Sequence, residues 1–210
     1  DGGGGTNAIN DHGTNTIKIN VPNANAYSEF FVAGETKIIT VNGKEYTITN
    51  TASNDNKNLV YSIKGDTIEF QGTYFKITGN SEQSHNVKLL SQRMTFTGGN
   101  LNDTIIVANT ARYAAVYGGS GDDYIENNAA DVYMWGQDGN DKIINNGANS
   151  CLIFGGNGDD TVEITKGTGH YLDAGDGNDN VTVLGSASNA TIYGGAGKNT
   201  ITNKSGNNIG

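Results

Sequence analysis

The stretch GGSGDDYI (Gly118–Ile125) decides how this chain is read, because it recurs as GQDGNDKI (Gly136–Ile143), GGNGDDTV (Gly155–Val162) and AGDGNDNV (Ala174–Val181). Weaker copies flank these four: GGNLNDTI (Gly98–Ile105) before them and GGAGKNTI (Gly194–Ile201) after. Successive starts lie 20, 18, 19, 19 and 20 residues apart. A near-constant period of this size marks a solenoid, in which each repeat forms one coil and neighbouring coils bury each other's apolar faces.

Apolar residues hold fixed phases around each copy. Two residues before the starts stand Phe96, Val116, Met134, Ile153, Leu172 and Ile192, and two further back Met94, Ala114, Val132, Cys151, His170 and Ala190. After each turn comes Ile105, Ile125, Ile143, Val162, Val181 or Ile201. Side chains alternate faces along a strand, so these three columns are expected to point inward. Each coil then has one short strand entering the glycine turn and one leaving it.

Further out the pattern changes. Lys37–Val41 and Glu45–Thr49 alternate apolar and polar around Asn42-Gly43, a strong hairpin signal, and Val60–Ile63, Thr67–Phe70 and Thr73–Ile77 read as further short strands. Residues 1–20 hold two degenerate relatives of the repeat, GGTNAI (Gly4–Ile9) and HGTNTI (His12–Ile17). The expectation is therefore an all-β chain in three parts. Residues 1–20 are a repeat-like segment, 21–92 an antiparallel β cap or lid, and 93–210 a right-handed parallel β-roll of five to six coils.

Composition narrows the function. Glycine (31) and asparagine (30) exceed a quarter of the 210 residues, but the regular apolar columns make the glycines turn residues of a folded array. The net charge of −9 is uneven, because residues 98–210 carry 13 acidic against 5 basic side chains. Such a surface disfavours nucleic acid and anionic membranes and favours cations. A lone Cys151 excludes an internal disulfide framework and offers no CxxC pair for zinc. No apolar run reaches the ~20 residues of a membrane span. The chain starts at Asp1 without a methionine, which reads as a piece of something longer.

The turns carry the chemistry. Coils stack ~4.8 Å apart, so the sixth-place residues Asp103, Asp123, Asp141, Asp160 and Asp179 form a column. Two bare carboxylates at that spacing repel by roughly 3.5 kcal/mol at an effective dielectric of 20. Hard divalent cations between them reverse the sign. Calcium fits best, since it takes six to eight oxygens, backbone carbonyls included, in loose geometry. Lys198-Asn199 replaces the acidic pair in the last turn, where the ammonium stands in for a cation. The fifth-place residues Asn102, Asp122, Asn140, Asp159 and Asn178 read as exposed turn residues, not ligands.

These copies resemble the glycine- and aspartate-rich nonapeptide GGxGxDxUx of the RTX, or haemolysin-type calcium-binding, family. GGSGDDYI and GGNGDDTV fit it fully, GQDGNDKI and AGDGNDNV miss one glycine each, and the end copies depart further. The resemblance covers about half the chain. It implies that second- and fourth-place carbonyls join the carboxylates, here Gly119/Gly121, Gln137/Gly139, Gly156/Gly158 and Gly175/Gly177. Asp123, Asp141, Asp160 and Asp179 then define three sites, with Asp103 and Asn199 completing weaker ones, for three to five calcium ions along one edge. It also implies a secreted bacterial parent protein, exported by a type I channel and folding in extracellular calcium.

Outward positions on the entering strand are unexpectedly apolar: Tyr117, Tyr133, Trp135, Phe154, Tyr171 and Tyr193, interrupted by Asp173. The favoured expectation is that residues 21–92 pack over this stripe. The alternative is an adhesin-like platform for a glycan or protein partner. No nucleophile elbow, HExxH or phosphate loop is present, and the three histidines fall in unrelated contexts, so no catalysis is expected of this chain. A noncatalytic targeting module of an enzyme remains a third class.

Overall fold

The computed structural model describes residues 15–17 and 26–210; the repeat relative GGTNAI and most of HGTNTI lie outside them. The described residues are all β, with no helix. The first strands are β1 (Asn15–Ile17), β2 (Tyr27–Phe31), β3 (Thr36–Val41), β4 (Lys44–Asn50), β5 (Lys57–Lys64), β6 (Thr67–Gln71), β7 (Phe75–Gly79), β8 (Asn86–Leu89) and β9 (Thr95–Thr97). The repeats supply β10 (Thr104–Val107), β11 (Ala115–Ser120), β12 (Tyr124–Asn127), β13 (Tyr133–Asp138), β14 (Lys142–Asn145) and β15 (Leu152–Asn157). The chain closes with β16 (Thr161–Ile164), β17 (Tyr171–Asp176), β18 (Asn180–Val183), β19 (Thr191–Tyr193) and β20 (Thr200–Asn203).

Two ten-stranded sheets face each other. One runs β1-β3-β4-β7-β9-β11-β13-β15-β17-β19 and holds the strands that enter the glycine turns. The other runs β2-β5-β6-β8-β10-β12-β14-β16-β18-β20 and holds the strands that leave them. From β6 and β7 onward each strand pairs in parallel with its counterpart one coil on, which makes a β-solenoid of about seven coils. The count exceeds the expected five to six because the coiling starts earlier. β6 and β7 pair antiparallel with β5 and β4 on one side and parallel with β8 and β9 on the other. A strand has two edges, so a strand can end the hairpin region and begin the solenoid at once.

The β3–β4 hairpin turns at Asn42-Gly43, both with positive φ (50° and 73°), which matches the sequence expectation and the twist of the flanking strands. β2 to β5 take places in the two sheets rather than crossing their outer faces. They extend the stack at one end, and Trp135, Leu152 and Tyr193 on the outer face stay exposed. The expectation of a lid over the aromatic stripe is thus replaced by an end-on arrangement.

The three inward columns are buried through the middle coils, from Met94, Phe96 and Ile105 to Leu172 and Val181. At the last coil Ile201 is 45% exposed, because no further coil covers it. A fourth inward column was not foreseen: Val107, Asn127, Asn145, Ile164 and Val183 are all buried. Its asparagines hid it from an apolar-pattern reading. Asn127 Nδ2 donates to the Ala129 carbonyl (2.9 Å) and to Asn145 Oδ1 (2.8 Å), and Gly147 N–H donates to Asn145 Oδ1 (3.0 Å). His170 and Cys151 join this network as buried core residues. His170 Nδ1 accepts the Cys151 N–H (3.2 Å), while Nε2 lies 3.0 Å from the Lys166 carbonyl. Burial holds the imidazole below its ordinary pKa, so it sits there neutral.

Candidate metal-binding edge

The sixth-place residues do stack at one margin of the solenoid, where β11, β13, β15 and β17 hand over to β12, β14, β16 and β18. Asp103, Asp123, Asp141, Asp160 and Asp179 are at most 2% exposed. Each lends Oδ1 to the coil before it. His85 N–H donates to Asp103 Oδ1 (2.6 Å), Asp103 N–H to Asp123 (2.7 Å) and Asp123 N–H to Asp141 (2.8 Å). Asp141 N–H then donates to Asp160 (2.7 Å), Asp160 N–H to Asp179 (2.9 Å) and Asp179 N–H to Asn199 Oδ1 (2.9 Å). One oxygen of every carboxylate is therefore spent on holding adjacent coils in register.

The other oxygen separates the middle from the ends. Oδ2 of Asp123, Asp141, Asp160 and Asp179 is buried with no hydrogen-bond partner. At one end Gly99 N–H donates to Asp103 Oδ2 (3.0 Å). At the other, Asn199 presents an amide instead, and its Nδ2 donates to the carbonyls of Gly194 (2.6 Å) and Gly195 (3.2 Å). Both termini of the column are sealed by hydrogen bonds, and the four middle carboxylates are not. A buried acceptor without a donor costs ~1–3 kcal/mol, more when charged, so each orphan calls for a proton or a cation.

First-place glycines explain how the oxygens come to lie there. A Cβ on Gly118 would collide with both Asp123 Oδ2 and the Gly136 carbonyl oxygen. The same holds for Gly136 against Asp141 Oδ2 and Gly155 O, and for Gly155 against Asp160 Oδ2 and Ala174 O. The bare Cα lets a carboxylate oxygen and the next coil's carbonyl oxygen lie side by side. Ala174 carries a methyl in this place, and Asp179 Oδ2 is nonetheless buried without a partner. Sequence reasoning counted these glycines as turn formers and passed over their carbonyls.

Second- and fourth-place positions lie on the same edge but face differently. Gly119, Gly156 and Gly175 have φ of 118°, 127° and 104°, and the second-place carbonyls enter the sheet ladder, as where Ser120 N–H donates to Gly99 O (2.9 Å) and Ala196 N–H to Gly175 O (2.9 Å). The carbonyls of Gly121, Gly139 and Gly158 aim along the stack at the bare Cα of Gly139, Gly158 and Gly177, where a Cβ would collide with them. Gln137, the one side chain among these second places, keeps a positive φ of 86°.

Electrostatics matches the geometry. Burial, reinforced by the neighbouring carboxylates, pushes Asp123 up to about 8, Asp141 to about 6 and Asp160 to about 7 and raises Asp179, while burial alone raises Asp103 against the opposing pull of His85 and Lys44. Among the described residues no three carboxylate, imidazole or thiolate side chains converge on one point. A cation here would rest on stacked carboxylates and backbone carbonyls, a donor set of hard oxygens that suits calcium and offers nothing to softer metals.

His85 was missed altogether. It ends the column in the preceding coil, its N–H on Asp103 Oδ1 and its ring over Gly79 as the carboxylates lie over their own glycines. The ring is buried against Tyr46, with centroids 4.9 Å apart. The signal was obscured because Gly79 and His85 are six residues apart, where Gly98 and Asp103 are five apart.

The aromatic residues also come together. Ring centroids of Tyr117–Tyr133, Tyr133–Phe154, Phe154–Tyr171 and Tyr171–Tyr193 are 5.5, 5.4, 5.8 and 5.5 Å apart, with Trp135 6.1 Å from Phe154. They line the outer face of the entering sheet, not the carboxylate edge.

No family model, curated protein or solved structure matches this chain. Function must be argued from the site's own chemistry.

Proposed function

We propose that the chain is a calcium-binding module whose parallel coils fold when calcium neutralises the sixth-place column, serving a larger secreted protein as a rigid display element and not as a catalyst. The observation that carries this is the run of four buried, unpartnered Oδ2 atoms on Asp123, Asp141, Asp160 and Asp179. These carboxylates would hold the ions, with the carbonyls of Gly136, Gly155 and Ala174 beside Asp123, Asp141 and Asp160. When bound, calcium would supply positive charge to a line of oxygens that otherwise repel. The likeness of the turns to haemolysin-type repeats supports the same reading, and with it secretion by a type I route.

Protons alone are a poor substitute. With carboxyl groups titrating between about 6 and 8, a neutral medium leaves the column partly charged. Folding coupled to millimolar calcium, the range of extracellular modules, gives a chain that stays open where calcium is scarce and closes outside the cell. The test is far-ultraviolet circular dichroism of the chelated chain during a calcium titration. A saturable gain of β signal is expected, with magnesium ineffective because it demands a tighter octahedron and keeps its waters. A chelated chain with the full β spectrum defeats the proposal.

The exposed aromatic face favours a second, compatible reading, in which the rigid solenoid presents a binding surface as an adhesin does.

A further inference from the structure

On the outer face of the entering sheet lies a shallow groove of about 350 Å³. Trp135, Phe154 and Asp173 occupy successive rungs in register, and Asp138, Asn157 and Asp176 run beside them three residues along each strand. Beyond Asp173 the next rung is Tyr193, itself 52% exposed. Asp173 thus interrupts an aromatic ladder, with a ring on either side of it along the stack.

A carboxylate is a poor neighbour for stacked rings, whose faces are electron-rich. Nor is it answered locally. Among the described residues no lysine, arginine or histidine nitrogen lies within salt-bridge distance of Asp138, Asp173 or Asp176. Asn157 donates one of its two amide N–H groups to Asp138 Oδ1 (2.7 Å), and the groove sets three carboxylates against the neutral amides of Asn157 and Gln137. Rings flanked by unpaired carboxylates complement one kind of occupant: a flat or aliphatic body ending in a cation.

We propose that this groove receives a lysine or arginine side chain of a protein partner, its stem on Phe154 and Trp135 and its charged head between Asp173 and Asp176. Long basic side chains bury their methylenes against apolar surface and keep the head polar. Cation–π attraction to the tryptophan and charge-assisted hydrogen bonds to the carboxylates then act together. A neutral saccharide could stack on the same rings but would leave three negative charges unanswered. The groove adjoins the proposed ion edge, since Gln137, Gly156 and Gly175 line it as well, so every titration is made at one saturating calcium concentration.

Trp135 is the only tryptophan in the chain, so its fluorescence reports on this groove alone. The full chain, in calcium at low ionic strength, is titrated with acetylated, amidated tetralysine and tetraarginine, and separately with cellohexaose. The basic peptides should give a saturable change that weakens with added salt. The Asp173→Asn/Asp176→Asn double variant should bind about tenfold more weakly or worse, the scale of one lost charge-assisted contact. Glu163→Gln, on the opposite sheet, should bind as the parent does. Undiminished binding by the double variant overturns the proposal, as does equal weakening by Glu163→Gln, which would mean bulk charge attraction only. A saturable response to cellohexaose with none to the peptides overturns it in favour of a glycan platform. Circular dichroism verifies that the variants are folded, and the saccharide and salt arms on the parent chain need no variant.

Discussion

Two columns of acidic turn residues stand side by side in this molecule, and they solve the same electrostatic problem in different ways. The fifth-place column reads Asn102, Asp122, Asn140, Asp159, Asn178, so each aspartate has an asparagine above and below it. Every Oδ1 accepts a backbone N–H from the following coil, from Asp122 N–H on Asn102 (3.0 Å) to Lys198 N–H on Asn178 (3.1 Å). The amides of Asn140 and Asn178 also donate to Asp122 and Asp159. The column is exposed, and alternation alone keeps it quiet. The sixth-place column, buried one residue away, runs five aspartates without interruption and bonds in the opposite direction, each Oδ1 serving the preceding coil. A sequence that alternates amide and carboxylate where charges are exposed, yet stacks carboxylates where they are buried, fits the proposal of a neutralising agent at the buried column only.

The strongest way to break this contrast is to make the buried column resemble its neighbour. Asp141→Asn together with Asp160→Asn keeps both Oδ1 acceptors and removes two charges from the middle of the stack. In EGTA the variant should keep β signal that the parent loses, and calcium should lose most of its stabilising effect, as read by circular dichroism and thermal denaturation with calcium or EGTA. Adjacent carboxylates repel by roughly 3.5 kcal/mol at an effective dielectric of 20, which bounds the gain per pair. If the variant keeps the parent's calcium response, the sixth place is not where the ions act.

Acidity tests the same column without mutation. Folded-state values raised to about 6 to 8, against an ordinary aspartate value near 4, mean that folding takes up protons. In EGTA that stabilisation is fully present below about pH 4 and is lost as the pH rises through 6 to 8. Calcium competes with those protons, so its stabilising effect should grow over the same window. Melting temperatures across pH, with and without calcium, should diverge with rising pH; parallel curves would dissociate the carboxylates from the ion.

The opposite corner provides a control for burial. Asn145→Ala strips the partner from the Gly147 N–H and one acceptor from Asn127 Nδ2, which keeps the Ala129 carbonyl. It should cost about 2–3 kcal/mol in unfolding free energy, equally at every calcium concentration that keeps the parent folded. A calcium-dependent cost would mean that the corners are coupled.

Smaller effects sharpen the picture. Gln137→Gly relieves a side chain held at φ 86° and should stabilise by about 1 kcal/mol. Asp122→Asn with Asp159→Asn, in the exposed column, should change stability by less than about 0.5 kcal/mol and leave the calcium response intact.

Much of this architecture was legible in the residues. The period, the two strands per coil, three inward columns and the Asn42-Gly43 hairpin follow from spacing and alternation, because a solenoid repeats its local physics at each coil. Aspartates 123, 141, 160 and 179, chosen from motif quality, are the same four that bury an unpartnered oxygen. The hidden parts broke the pattern locally. The turn from Gly79 to His85 carries one residue too many and no aspartate, which concealed the earliest coils. Asn127 and Asn145 are polar at inward places because they cap the second corner from within. The first-place carbonyls escaped notice because a motif names side chains, while the close approach of Oδ2 to a bare Cα is a property of the stacked backbone.

Ion counting on the purified chain is the most direct test. After exhaustive chelation and equilibrium dialysis against millimolar calcium, elemental analysis should find three to five bound ions per chain, and the melting temperature should rise with occupancy. A chain that binds none, and melts at one temperature in calcium and in chelator alike, would contradict the account.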